Sequence, residues 1–256
     1  MKSKNTFWLM LALLVIIFTS CSESSITELK ETAIDFSEIG YQLDWDYFLK
    51  GHDYHLEFSY RDNTGWSAHL LGHKWETEPT ATLKINNQKI DIEWRSPFSR
   101  DPILPPWHQG YISIDDLNLQ SGEEITIEIK SSKGVSKTRF RLPSEKPQIV
   151  DTPPFYRPDE DLHFNWELYQ IADFQAVSVN IPDECGNLFS GYFKSLPNST
   201  RNHTILANTL IEEEYFEYVN SMNIGVYNVS VKSAGNQAHV ITAMKADEKR
   251  LQIDTD

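Results

Sequence analysis

Along most of this chain, apolar residues recur at every second position rather than every third or fourth. Leu56, Phe58 and Tyr60 alternate with His55, Glu57 and Ser59, the period of a strand with one face buried. Leu83 and Ile85, then Ile90, Ile92 and Trp94, flank Asn86-Asn87-Gln88. A two-residue turn at Asn87-Gln88 would set Ile85 opposite Ile90 and Leu83 opposite Ile92, with both strands apolar on one face. Ile125, Ile127 and Ile129 lead through Ser131-Ser132-Lys133-Gly134 to Thr138, Phe140 and Leu142. That switch from odd to even positions requires an even-length loop. Leu162, Phe164 and Trp166 predict another strand, Ala176 to Ile181 a second, and Gly225, Tyr227, Val229 and Val231, before Ala234-Gly235-Asn236, a late one. One stretch departs from this period. Thr209 and Glu212 form a capping box, and Ile211, Tyr215, Tyr218, Val219 and Met222 follow at helical spacing. A short helix over one end of the core is expected there, with Tyr215 and Tyr218 as packing residues.

The alternation is interrupted between Pro143 and Pro154 by Ser144, Glu145, Lys146, Pro147, Asp151, Thr152 and Pro153, which places a domain boundary at about residue 145. The expected fold is all-β: two tandem antiparallel β-sandwich domains of immunoglobulin-like type, 28–145 and 146–256, the second carrying the short helix. With Trp166 on an early strand and Tyr227 on a late one, the second domain resembles a fibronectin type III or immunoglobulin-like module. In such modules the tryptophan fills the core and the tyrosine makes a corner hydrogen bond.

The N-terminus has a different design. Lys2 and Lys4 precede an unbroken apolar run from Phe7 to Phe18, followed by Thr19, Ser20 and Cys21, the order of a secretory signal. The run is too short to cross a bilayer, which takes about twenty apolar residues. Thr19-Ser20-Cys21 resembles the lipobox of bacterial lipoproteins, with Phe18 where leucine is usual. The resemblance implies removal of residues 1–20, lipid attachment at Cys21, and a polar tether over 21–27. Ser22 after the cysteine implies an outer-membrane destination by the sorting rule of enteric bacteria. The expected localisation is therefore the cell envelope, with the membrane engaged through the N-terminal lipid.

The full chain carries a formal charge of −14, and losing residues 1–20 removes two lysines and no acid. A surface this acidic repels phosphate backbones, so no nucleic-acid partner is expected. Apart from Cys21 the only cysteine is Cys185, in the turn-like Pro182–Asn187 among acids, which suits a passive thiol; once Cys21 carries lipid, no intramolecular disulfide is possible. His52 and His55, and His69 and His73, have spacings that suit a metal only on a helix, and no third ligand completes a zinc pattern. Asp115-Asp116 and Asp159-Glu160-Asp161 lack the alternation and glycine of a calcium loop. No nucleophile elbow, phosphate loop or dinucleotide fingerprint occurs. A noncatalytic protein without metal or cofactor is expected. The sequons at Asn198, Asn202 and Asn228 carry no meaning in a bacterial lipoprotein, and Asn228 falls within a strand.

The remaining signal is aromatic. Trp66 and Trp75 flank a histidine-containing stretch, and Trp107 follows Pro105-Pro106 in the irregular segment from Ser96 to Gly110. Loop tryptophans on a β scaffold suit stacking on sugar rings or a protein hot spot, so these three are the candidate ligand-binding residues. Trp94 and Trp166, on strands, are read as inward-facing. The layout resembles the small multi-sandwich lipoproteins of Bacteroidota. A binding or adhesion module for glycan or envelope protein is the leading expectation; the alternative is a structural or assembly lipoprotein facing the periplasm, and a hydrolase comes third.

Overall fold

The computed structural model describes residues 54–72, 81–95, 108–131, 134–182, 188–211, 219–234 and 239–254. In chain order the strands are Tyr54–Arg61 (β1), Gly65–Gly72 (β2), Thr82–Ile85 (β3), Gln88–Ile90 (β4), Ile92–Arg95 (β5), His108–Ile112 (β6), Glu124–Ser131 (β7), Gly134–Arg141 (β8), Gln148–Asp151 (β9), Phe155–Tyr156 (β10), Leu162–Glu167 (β11), Phe174–Pro182 (β12), Leu188–Leu196 (β13), Asn202–Ile205 (β14), Ser221–Ala234 (β15) and His239–Ile253 (β16). The described residues are all-β, with one 3-10 turn at Asp115–Leu117.

The described residues form three sheets. The large one has nine strands in the order β13-β12-β15-β16-β1-β2-β6-β5, with β10 beside β16. The others are β4-β3-β7-β8 and β14-β11-β9. Within the large sheet β1 runs parallel to β16, so the C-terminal strand joins the N-terminal half to the rest.

The hairpin of β15 and β16 organises the whole. Residues directly opposite in an antiparallel pair share a face, and the register runs without a break from Ser221 opposite Gln252 to Ala234 opposite His239. Ile241, Ala243, Lys245, Asp247 and Leu251 therefore all lie on one face. Ile241 and Ala243 enter a core with Leu56, Phe58, Leu83 and Ile127, beneath the four-stranded sheet. Leu251 enters a second core with Phe164, Trp166, Val177 and Ile224, beneath the three-stranded sheet. Two small sheets thus sit side by side on the same face of one large sheet, making two sandwiches with a shared layer. The segment expected to divide the domains passes between these cores, yet β16 feeds both.

Several strand expectations match. Trp166 is buried at 2% exposure with its indole N–H donated to Gln175. Ser131 pairs with Gly134 across a two-residue loop, as the parity switch requires, and Ile125 faces Phe140. Trp94 packs against the first core from β5. It lies opposite Gly110, where a Cβ would stand 2.6 Å from Ile92 Cγ2 and 3.0 Å from the indole, so glycine makes room for the ring.

Other expectations are corrected. The β3–β4 turn is Asn86-Asn87, both at positive φ (50° and 65°), which sets Ile85 opposite Gln88 and Leu83 opposite Ile90. Two consecutive left-handed residues suit the two-residue hairpin turn that asparagine tolerates. Ile92 then leaves the small sheet and pairs with Ile112 in the large one. In the helical stretch, 212–218 lies outside the described residues, but Met222 is on β15 and fully buried. Tyr227 makes no corner bond: its hydroxyl meets Ser178 Oγ at 3.1 Å and Glu248 Oε1 at 3.3 Å on the opposite face of the large sheet.

Candidate functional site

Where the two small sheets meet, the shared face changes from apolar to polar. Asn228, fully buried on β15, donates to the Glu145 and Gln170 carbonyls at 2.9 and 2.8 Å and accepts from the Ala172 amide at 2.8 Å. The Glu145 carboxylate accepts the Tyr169 and Gln170 amides. Asp247 accepts the Ile149 amide at 2.8 Å and pairs with Lys146 at 3.3 Å. Lys146 also reaches Asp62 at 2.6 Å, and that hydrogen bond above all holds its amine more basic than usual. Side chains of the large sheet thereby fix the connecting chain against it.

Lys245 lies beside this network, 5% exposed. Its amine donates to Ser121 Oγ at 2.5 Å and the Ser144 carbonyl at 3.2 Å, and sits 4.2 Å from the Tyr60 ring centroid and 5.8 Å from that of Trp66. Burial lowers its pKa; the nearby Asp62 opposes this and Lys146 adds to it. The aromatic faces and neutral oxygens supply part of what water would give a cation.

Next to the junction lies a groove of about 880 Å³. Arg139, Phe140 and Arg141 of β8 wall one side and residues 170–173 the other. Ser230 and Lys232 form its floor, being opposite Ala243 and Ile241 and so on the same face. β8 is the last strand of its sheet, and no strand among the described residues pairs with its outer edge. Two acids also line the groove. Asp173 is engaged by the Val231 amide at 2.7 Å, and Glu124 stands 3.7 Å from Arg139.

The opposite face of the large sheet carries titratable groups of another kind. Glu57 on β1 lies opposite His69 on β2 and beside Thr242 on β16. Burial pushes the Glu57 carboxyl up to about 7 and, with Arg61 contributing, lowers the His69 imidazole. His55 Nε2 is 2.7 Å from Thr242 Oγ1, and the His69 ring stands edge-on to Tyr111. A carboxyl near neutrality beside a neutral imidazole could serve acid–base chemistry. No hydrogen bond joins the two, and among the described residues no cluster of three or more histidine, cysteine or acidic side chains is arranged to hold a metal ion.

Of the residues singled out from sequence, Trp66 is on β2 at 6% exposure, its ring edge-on to Tyr60 at 5.3 Å. It packs in the first core and offers no open face for stacking, which corrects its reading as a loop residue. Trp75, Trp107, Cys21 and Cys185 lie outside the described residues. The sequence reading missed Arg139, Arg141 and Lys232. The available signal was the run Lys137, Arg139, Arg141, three cations at strand period in an acidic chain.

No family model matches the chain, and no curated protein matches it. Among solved structures it is similar to the full ectodomain (Ig1–Ig3) of mouse nectin-like molecule 4, with 9% identity, 80% of this chain and 65% of that one covered, and a TM-score of 0.26. It is also similar to the FN1–FN3 domains of chicken CNTN1, with 10% identity, 78% and 66% covered, and a TM-score of 0.27. The chain spans just under two thirds of the length of each.

Proposed function

We propose that this chain is a lipid-anchored cell-envelope protein whose β body is a noncatalytic module for binding another protein. The observation that carries the binding reading is the groove between β8 and residues 170–173, with a strand edge that is unpaired among the described residues on one side and three cations around it. Its charged and main-chain lining favours a polypeptide over a glycan, because sugar rings are held chiefly on flat aromatic faces. Trp66, the one candidate stacking residue within the described chain, is committed to the core. The anchor rests on the N-terminal pattern: Cys21 would carry the lipid, and Ser22 favours the outer membrane.

Two experiments test this. Cys21→Ser should abolish palmitate labelling in cells and move the protein out of the membrane fraction; retained label would remove the anchor. A photo-crosslinking residue at Arg141 should give a discrete adduct in cells, while one at the exposed Lys89 should not. Adducts at neither position, or equally at both, would overturn the binding site. The alternative, a rigid structural or assembly lipoprotein facing the periplasm, is favoured by the fastened junction. Protease treatment of intact cells separates the two, since a surface module is digested and a periplasmic one is protected until lysis.

A further inference from the structure

From the groove geometry we infer that the ligand is an extended acidic polypeptide segment that adds to the edge of β8 as a fifth strand of the small sheet. This deepens the binding reading above and rests on it. The Leu142 amide donates to the Glu123 carbonyl at 2.9 Å, which fixes the hydrogen-bonding parity of the β7–β8 ladder. Ser136, Thr138 and Phe140 turn their backbone groups toward β7; Val135, Lys137, Arg139 and Arg141 turn theirs outward. Those amides and carbonyls line the edge as a template for a strand at about 4.8 Å, the ordinary spacing within a sheet. In the small sheets the edge strands β4, β9 and β14 span three or four residues, whereas β8 spans eight; the nine-residue β13 is the long edge of the large sheet and does not line the groove.

The charges select the occupant. Alternate side chains of an added strand point to opposite faces. On the outer face they would flank Lys137, Arg139 and Arg141, all exposed. On the inner face they would lie over the groove floor, where Lys232 is the cation and Ser230 is small. Both faces of the incoming strand would therefore meet positive charge, although the chain as a whole is strongly acidic. A basic edge repels other basic edges and discourages indiscriminate pairing, while it accepts a strand bearing carboxylates. The Lys84–Glu128 pair at 2.7 Å satisfies the acid nearest Lys137 on the cross-strand row.

The test is fluorescence anisotropy with the full chain in detergent and a labelled peptide of about ten residues alternating glutamate and valine. Binding is expected, weakened roughly tenfold by Arg141→Glu and unchanged by Lys89→Glu. The same peptide N-methylated at every amide should lose binding, because it keeps the charge but has no N–H to donate to the ladder. A lysine–valine peptide should not bind. Equal binding of the N-methylated peptide, or insensitivity to Arg141→Glu in a variant whose thermal transition is unchanged, would overturn strand addition. If no acidic peptide binds while a crosslinker at Arg141 still gives its specific adduct, the ligand class is wrong and the groove reading stands; loss of both sinks both.

Discussion

The two faces of the large sheet handle buried polar groups in opposite ways. On the face covered by the small sheets, Asn228, Lys146 and Asp247 each reach partners at hydrogen-bonding or ion-pairing distance, and Lys146 is held more firmly charged as a result. On the other face, Glu57 and His69 are shifted toward their neutral forms by burial. Partnered groups specify geometry, whereas a desolvated group without a charged partner makes stability depend on pH. The difference marks the junction on the first face as architecture and makes Glu57 and His69 a pH-responsive pair on the second.

Loss of Asn228 should damage the covered face most. Asn228→Ala deletes three hydrogen bonds and leaves two carbonyls and an amide without their buried partner, at about 1–3 kcal/mol each before relaxation. A loss of about 4 kcal/mol in urea unfolding at pH 7 is expected. A loss below about 1 kcal/mol would mean that water satisfies those groups and that the junction is not fixed by this residue.

Glu57 tests the other face. Its folded pKa of about 7 lies above the ordinary carboxylate value near 4.3. The folded state therefore holds the proton longer, so stability is greatest at low pH and is lost as pH rises through about 7. The shift corresponds to about 3 kcal/mol, and Glu57→Gln, which removes the charge, should be more stable than the parent by roughly that amount at pH 8 and nearly equal at pH 4. Parallel stability curves for the two proteins between pH 4 and 8 would show that Glu57 is solvated.

His203 supplies the opposite sign. Burial, with Lys194 adding, pushes its imidazole down to about 4, and its Nε2 lies 2.7 Å from the Tyr192 hydroxyl. The unfolded chain takes up the proton first as pH falls, so stability present above about 6.5 is lost progressively toward pH 4. His203→Gln keeps a hydrogen-bonding group and should remove about 2 kcal/mol of that acid sensitivity, allowing for partial exposure. Equal acid midpoints for both proteins would refute the assignment.

Local interactions leave a pattern in the sequence and remote ones do not. The β7–β8 hairpin was readable because three isoleucines and the parity switch lie within one short stretch. β16 was not: Val240 to Ala243 are buried on both faces, Asp247 to Arg250 look like a solvated run, and its partner β1 is remote, His55 and Thr242 being 187 residues apart. Asn228 read as an empty sequon because nothing in its neighbours announces the chain segment it fastens. Trp66, next to the Arg61–Gly65 turn, looked like a loop tryptophan, and only its own burial against Tyr60 on β1 shows it as core. Arg139 and Arg141 read as ordinary solvent-facing alternates, since an open edge is a property of the sheet and not of the strand.

The smallest loss of stability is expected at Lys146. Lys146 bridges Asp62 and Asp247 but keeps 32% of its side chain exposed, so both pairs are partly screened. Lys146→Met should cost about 1 kcal/mol at low salt and less at high salt, the behaviour of a surface ion pair. Because Lys146 also depresses the Lys245 amine, the same change should raise the Lys245 pKa, measurable by NMR of the labelled lysine side chains. A raised Lys245 pKa with a small, salt-dependent stability loss would mean that the cations are coupled across the junction and that Asn228, not the ion pairs, holds the connecting chain in place. An unchanged pKa would uncouple them and leave Lys245 governed by burial and the opposing Asp62.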